Sequence, residues 1–153
     1  LNLAPQAEFM GWDVSALGLP QASLPFEVGS LLQHFEVPGV WLERGLIDAA
    51  DSRLMNGPLG LAGQRCLASL FFVSGTALDR TRREAGLDLA RQTIAASPLQ
   101  SSAAATCPNG QVMVVRVLSP LVEPAVSLLR QVWGGWRAHF WHLCATSPRI
   151  WST

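Results

Sequence analysis

A chain of 153 residues is sized for one domain that can bury a sizeable core. Hydrophobic residues make up 49% of it and charged residues only 14%, so large apolar surfaces are expected to meet a partner or further chain. Its 11 acidic and 11 basic residues cancel, which excludes the one-sided charge of a nucleic-acid binder or of a protein drawn to an anionic membrane.

Leu1-Asn2-Leu3-Ala4 resembles the end of a strand, followed by a turn at Pro5-Gln6. A short strand needs a neighbour, so partner strands are expected upstream and the chain reads as a fragment. Phe9 to Leu17 reads as a strand stopped at Gly18-Leu19-Pro20. Phe26 to Val37 is β-like with a bend at Gly29-Ser30; Leu31, Gln33 and Phe35 share one side and Leu32, His34 and Glu36 the other. Pro38-Gly39 is a turn dipeptide. Val40 to Asp48 is a strand whose period of two puts Trp41, Glu43, Gly45 and Ile47 on one face. Asp51 to Gly63, with Asn56-Gly57-Pro58, reads as a loop. Gln64 to Val73 has almost no polar interruption and reads as a strand buried on both faces.

The pattern changes at Gly75-Thr76. Leu78 to Ala96 has helical spacing, with Ala85, Leu89, Thr93 and Ala96 along one stripe, and Ser97-Pro98 ends it. Gly86 weakens this helix by about 1 kcal/mol relative to alanine. Ser101 to Gly110 reads as a small-residue loop closing on Asn109-Gly110. Val112 to Leu118 is a dense apolar strand carrying Arg116 and broken by Ser119-Pro120. Leu121 to about Phe140 reads as an amphipathic helix, with Val122, Val126, Leu129, Trp133, Trp136 and Phe140 on one face and Glu123, Ser127, Arg130 and Arg137 opposite. Gly134-Gly135 marks either a kink or a close approach by another element. In the tail, Ile150 and Trp151 lose free energy when exposed, so it is expected to dock with Arg149 held at the edge of the body. The result is a mainly β chain with two helices late in the sequence.

The absent chemistry is informative. Every basic residue is arginine, and a P-loop needs lysine, so a Walker-type NTPase is excluded. There is no HExxH, no GxSxG and no zinc-finger spacing, and the three histidines with the Ser-rich loop are not enough to mark a catalytic triad. Three well-separated cysteines, Cys66, Cys107 and Cys144, make no disulfide framework and suit a reducing compartment. The chain begins with no initiator methionine and no signal-like stretch, and no run reaches membrane-spanning length, so a soluble, cytoplasmic protein is expected.

Two constellations have metal-ligand character. His139 and His142 lie three apart with Cys144 near, a spacing that could hold a soft or borderline metal ion, although a bare His-x-x-His favours the simpler reading of helix-end histidines stabilised by the dipole. Asp13 follows Trp12 in a strand, and Glu43 shares a face with Trp41 and Ile47. A carboxylate on an apolar face must be paired, hydrated or beside a polar cavity, and the residues alone favour a pair with an arginine such as Arg116.

Trp12-Asp13 followed by Gly18-x-Pro20, Val40-Trp41-Leu42-Glu43-Arg44, Val114-Val115-Arg116, Trp133-x-x-Trp136-Arg137 and Pro148-Arg149-Ile150-Trp151 together resemble the UreD/UreH family of urease accessory proteins. The resemblance covers nearly the whole chain as the C-terminal portion of such a scaffold, without the family's N-terminal half. It implies a β-rich, β-helix-like stack of sheets with two helices. It also implies a non-enzymatic nickel chaperone that binds UreF, through it the GTPase UreG, and the urease apoprotein. Nickel is then a transient passenger, and no cofactor is tightly bound. Asp13 and Glu43 match acidic positions along or near the family's nickel passage. Trp12, Arg116, Trp133, Arg137, Arg149 and Trp151 are structural or interfacial candidates. The competing readings are a metal-free β-rich interaction module and a metalloenzyme built on His139, His142 and Cys144.

Overall fold

The apolar run Cys66–Ser74 becomes a central strand of a four-stranded antiparallel sheet in the computed structural model, which describes residues 1–149. In chain order the elements are β1 (Glu8–Ala16), β2 (Gly18–Leu19), β3 (Leu24–Pro25), β4 (Ser30–Val37), β5 (Trp41–Asp48), α1 (Ser52–Asn56), β6 (Cys66–Ser74), α2 (Arg80–Ala95), β7 (Ala103–Asn109), β8 (Val112–Ser119) and α3 (Val122–Trp141). The large sheet has the order β1-β6-β8-β7; β4 and β5 form a hairpin, and β2 and β3 a short ribbon.

The sheet is covered on both faces. Alternation sends Cys66, Ala68, Leu70 and Phe72 of β6, with Met113, Val115 and Val117 of β8, into a core under α2 and α3. Phe71, Val73, Val112 and Val114 point the other way and pack under the hairpin with Phe35, Val37 and Trp41. The Phe35 and Trp41 rings sit 4.9 Å and 5.4 Å from the Phe71 ring, centroid to centroid. A separate cluster beneath the same hairpin gathers Leu17, Ile47, Met55 and Leu61. The mainly β, layered architecture with two long helices is thus the one expected from the sequence.

Local chemistry sets the element ends. The Asp79 carboxylate accepts from the Arg82 amide and caps α2. Gly39, with φ of 72°, closes the β4–β5 hairpin after Pro38. The Trp136 indole, fully buried, donates to the Gly86 carbonyl at 2.9 Å and ties α3 to α2. Glycines allow that contact: a methyl group at Gly135 would lie 2.5 Å from the Leu89 side chain, and one at Gly86 would collide with the Phe140 ring. Close approach, not a kink, is the role of Gly134-Gly135.

Several expectations are corrected. Residues 101–110 are not a loop: Ala103–Asn109 forms β7, an edge strand whose pairing with β8 shifts register between Thr106 and Asn109, around Pro108. The 51–63 loop holds a short helix capped by the Asp51 carboxylate, which accepts from the Leu54 amide at 2.9 Å. The strand expected from Phe26 begins only at Ser30. The buried stripe of α3 is Ala125, Leu128, Leu129, Val132, Trp136 and Phe140; Val122 is exposed, and Val126 and Trp133 are only partly covered. The docked-tail expectation rests on Ile150 and Trp151, which lie outside the described residues; of the rest, residues 142–149 are exposed, and Ala145 lies beside Gly134 of α3.

Candidate functional site

The face of the sheet under the hairpin is apolar at both ends and polar in the middle. Across the sheet, Asp13 on β1 pairs in register with Ser69 on β6, Ser69 with Arg116 on β8, and Arg116 with Ala104 on β7. The row on one side is Gly11, Phe71, Val114 and Thr106; the row on the other is Ser15, Leu67 and Leu118. The hairpin lays Gln33 from β4 and Glu43 from β5 over this middle band, while Phe35 and Trp41 cover one flank and Leu31 and Ile47 the other. A polar band in a sheet-on-sheet interface persists only when its members are satisfied.

They are satisfied in two distinct ways. The Arg116 guanidinium grips Glu43 with two donors, Nε to Oε1 at 3.3 Å and Nη2 to Oε2, and its Nη1 donates to the Thr106 hydroxyl at 3.3 Å. This is the fork geometry that suits a carboxylate best. The Glu43 side chain keeps 30% of its exposure and that of Arg116 keeps 42%, so the pair is screened by solvent. Asp13 has neutral partners instead: its Oδ2 accepts from the Ser15 hydroxyl and the Gln33 amide, both at 3.1 Å. The three ionisable groups therefore sum to one negative charge, carried on the Asp13 side. An open pocket of about 390 Å³ lies beside the band, lined among others by Gln33, Glu43, Ser69, Ser102 and Arg116.

The other sequence candidates lie elsewhere. Trp12 points to the opposite face and packs, partly buried, against the helical core. Trp133 is also partly buried there, with the Arg137 guanidinium stacked 4.8 Å from its ring. His139 stands in the last turn of α3 with its ring 4.8 Å from Phe140, and His142 caps the helix with a left-handed φ of 54°. Cys144 is exposed beyond them, and among the described residues no three His, Cys, Asp or Glu side chains gather as a metal-holding group. Arg149 is exposed, far along the chain from the band, and Trp151 is outside the described residues.

Sequence reasoning missed three participants. Gln33 had a signal, being the polar member of the Leu31 and Phe35 face. Thr106 had none, because its strand was read as a loop. The third is a clamp on the opposite side of the sheet. Arg82 of α2 pairs with both oxygens of Glu8 on β1, Trp141 Nε1 donates to Glu8 Oε2 at 2.8 Å, and Arg82 Nη2 donates to the Phe140 carbonyl at 3.3 Å. The Arg82 guanidinium also lies 4.9 Å from the Phe140 ring centroid. Its hydrogen bond, ahead of the indole's, holds the Glu8 carboxyl below its ordinary value of 4.5, against the opposing effect of burial.

Comparison with known proteins points in one direction. The family model for the UreD urease accessory protein matches residues 1–152. The urease accessory protein UreD of Polaromonas sp. (strain JS666 / ATCC BAA-500) is 65% identical over 152 residues, which is 99% of this chain and 55% of that protein. The UreD of Variovorax paradoxus (strain S110) is 65% identical over 153 residues, 100% of this chain and 55% of its own length. A more distant UreD, from Methylibium petroleiphilum, is 43% identical over 165 residues, 99% of this chain and 56% of that protein. The chain thus spans about half the length of the curated relatives it matches.

Proposed function

The chain belongs to the UreD family of urease accessory proteins, and we propose that it forms part of a scaffold that binds UreF, through it the GTPase UreG, and the urease apoprotein during nickel insertion. The single observation that supports this reading most is the family match across residues 1–152. The scaffold does no chemistry of its own. Nickel is cargo, passing the polar band between the two sheets where Asp13 and Glu43 offer carboxylate oxygens.

The chemistry suits transfer over storage. Oxygen ligands hold Ni(II) less tightly than a preformed cage of imidazole and thiolate. Asp13, with neutral partners only, is the more available ligand; Glu43 must be shared with Arg116. The apolar clusters on either side keep the band in place without using it. The scaffold is placed in the cytoplasm, in keeping with its free cysteines; among the described residues no helix is long and apolar enough to cross a membrane.

Glu43 already holding a cation is also the observation in favour of the second reading, a metal-free interaction module. Two measurements separate them. First, co-purification of the full-length protein with its cognate UreF and urease tests the scaffold; elution with neither partner overturns it. Second, Asp13→Ala and Glu43→Ala in that full-length background are expected to lower urease activation several-fold while both proteins still bind UreF. Normal activation by both variants refutes the nickel passage and leaves the module.

A further inference from the structure

Resting on the nickel-passage reading above, we infer that Arg116 is a built-in competing cation that keeps the affinity of the Asp13 and Glu43 band for a divalent metal ion low enough for release. The Glu43 carboxylate has two oxygens, and both are occupied by the guanidinium. A metal ion can use Glu43 only by displacing those donors or by sharing the carboxylate with them. Sharing brings like charges together within a few ångströms, which weakens metal binding. The guanidinium does not leave freely, because Thr106 on the edge strand β7 holds its third nitrogen. An open pocket of about 390 Å³, which the guanidinium helps to line, leaves space beside the pair.

The arrangement accounts for a charged residue in a strand whose other members are Val112, Met113, Val114, Val115, Val117, Leu118 and Ser119. Arginine keeps its charge at any relevant pH, so it competes constantly, and its planar fork covers both carboxylate oxygens at once. With Arg116 present, Asp13, Glu43 and Arg116 carry a net charge of −1; without it they carry −2, and a divalent ion placed there is held more tightly.

The test is a nickel titration by calorimetry on the full-length protein, with melting curves to verify folding. Arg116→Gln is expected to bind Ni(II) at least about tenfold more tightly, equal to about 1.4 kcal/mol. It is also expected to activate urease more slowly, because the metal is retained. Arg116→Lys keeps the charge but not the fork, so its affinity falls between those of the wild type and Arg116→Gln. Adding Glu43→Gln to Arg116→Gln abolishes the gain. A merely structural role for Arg116 predicts the opposite sign, weaker binding in both arginine variants. If Asp13→Asn and Glu43→Gln weaken nickel binding but neither arginine variant tightens it, the competing-cation proposal is wrong and the passage reading survives. If none of the substitutions moves nickel affinity, the passage reading fails and this proposal with it. Should Arg116→Gln not fold, Arg116→Lys alone decides: tighter binding supports the proposal, and equal or weaker binding overturns it.

Discussion

Replacing Glu8 by glutamine tests what holds the first strand to both helices. The Glu8 side chain is only 18% exposed and that of Arg82 32% exposed, and the carboxylate accepts from two guanidinium nitrogens and the Trp141 indole. Glutamine offers one oxygen, and turns an NH2 group toward donors. Hydrogen bonds to charged groups contribute about 1.5–3 kcal/mol each in net terms. Residual solvent exposure and the surviving amide oxygen reduce the combined loss, so Glu8→Gln should destabilise by about 2 kcal/mol at pH 7. For a chain of this length that is roughly a 4–8 °C fall in melting temperature. The pH dependence is the sharper readout. The folded-state carboxyl is held below its ordinary value, so its contribution is fully present above the unfolded value of 4.5. It is lost as pH falls through the folded value, where glutamate protonates and the wild type comes to resemble the variant. Urea denaturation at pH 7, 5, 4 and 3 should therefore show a gap that is constant down to pH 5 and then closes. A gap that stays constant to pH 3, or no gap at pH 7, refutes the reasoning.

Two further substitutions probe the contact between the helices. Trp136→Phe removes the hydrogen bond to the Gly86 carbonyl and part of a fully buried ring. It should cost about 2–4 kcal/mol, with Trp136→Ala worse, in denaturant titrations. Gly135→Ala gains about 1 kcal/mol of helix propensity but brings a methyl group against the far end of the partly exposed Leu89 side chain, which must turn aside, so the gain is expected to be offset. Adding Leu89→Ala should then cost less in the Gly135→Ala background than in the wild type, and strictly additive effects would contradict the close-approach account.

Strands with a clear alternation or an unbroken apolar run were legible in the sequence: β1, β4, β5, β6 and β8 each fall within two or three residues of where the pattern puts them, apart from the later start of β4. The edge strand β7 was not, because Ala103-Ala104-Ala105-Thr106-Cys107-Pro108 has weak strand propensity and owes its conformation to pairing with β8. In α3 the helix was legible but its rotation was not. Apolar residues cover more than one stripe, and the phase is set by Phe72 beneath and by the glycine contacts with α2. Within the site, Asp13 and Glu43 were visible as carboxylates on apolar faces, and Arg116 as a lone charge in an apolar strand. The clamp was invisible, since Glu8 and Arg82 lie 74 residues apart and neither interrupts a pattern.

The division of the molecule into a helical side and a hairpin side has a consequence for any experiment on function. The helical face carries the two largest fully buried side chains, Trp136 and Phe72, with Leu70, Met113 and the clamp; stability is concentrated there. The hairpin face is held by two apolar clusters that flank the polar band, so neither Asp13 nor Glu43 fills a core position. Shortening either carboxylate leaves both clusters intact, although Glu43→Ala also frees a part-exposed guanidinium that solvent can hydrate. Charge can therefore be changed in the band at small cost to the fold. A loss of urease activation there would then speak to what the band binds, whereas the same loss from a change at Trp136 or Glu8 would speak only to folding.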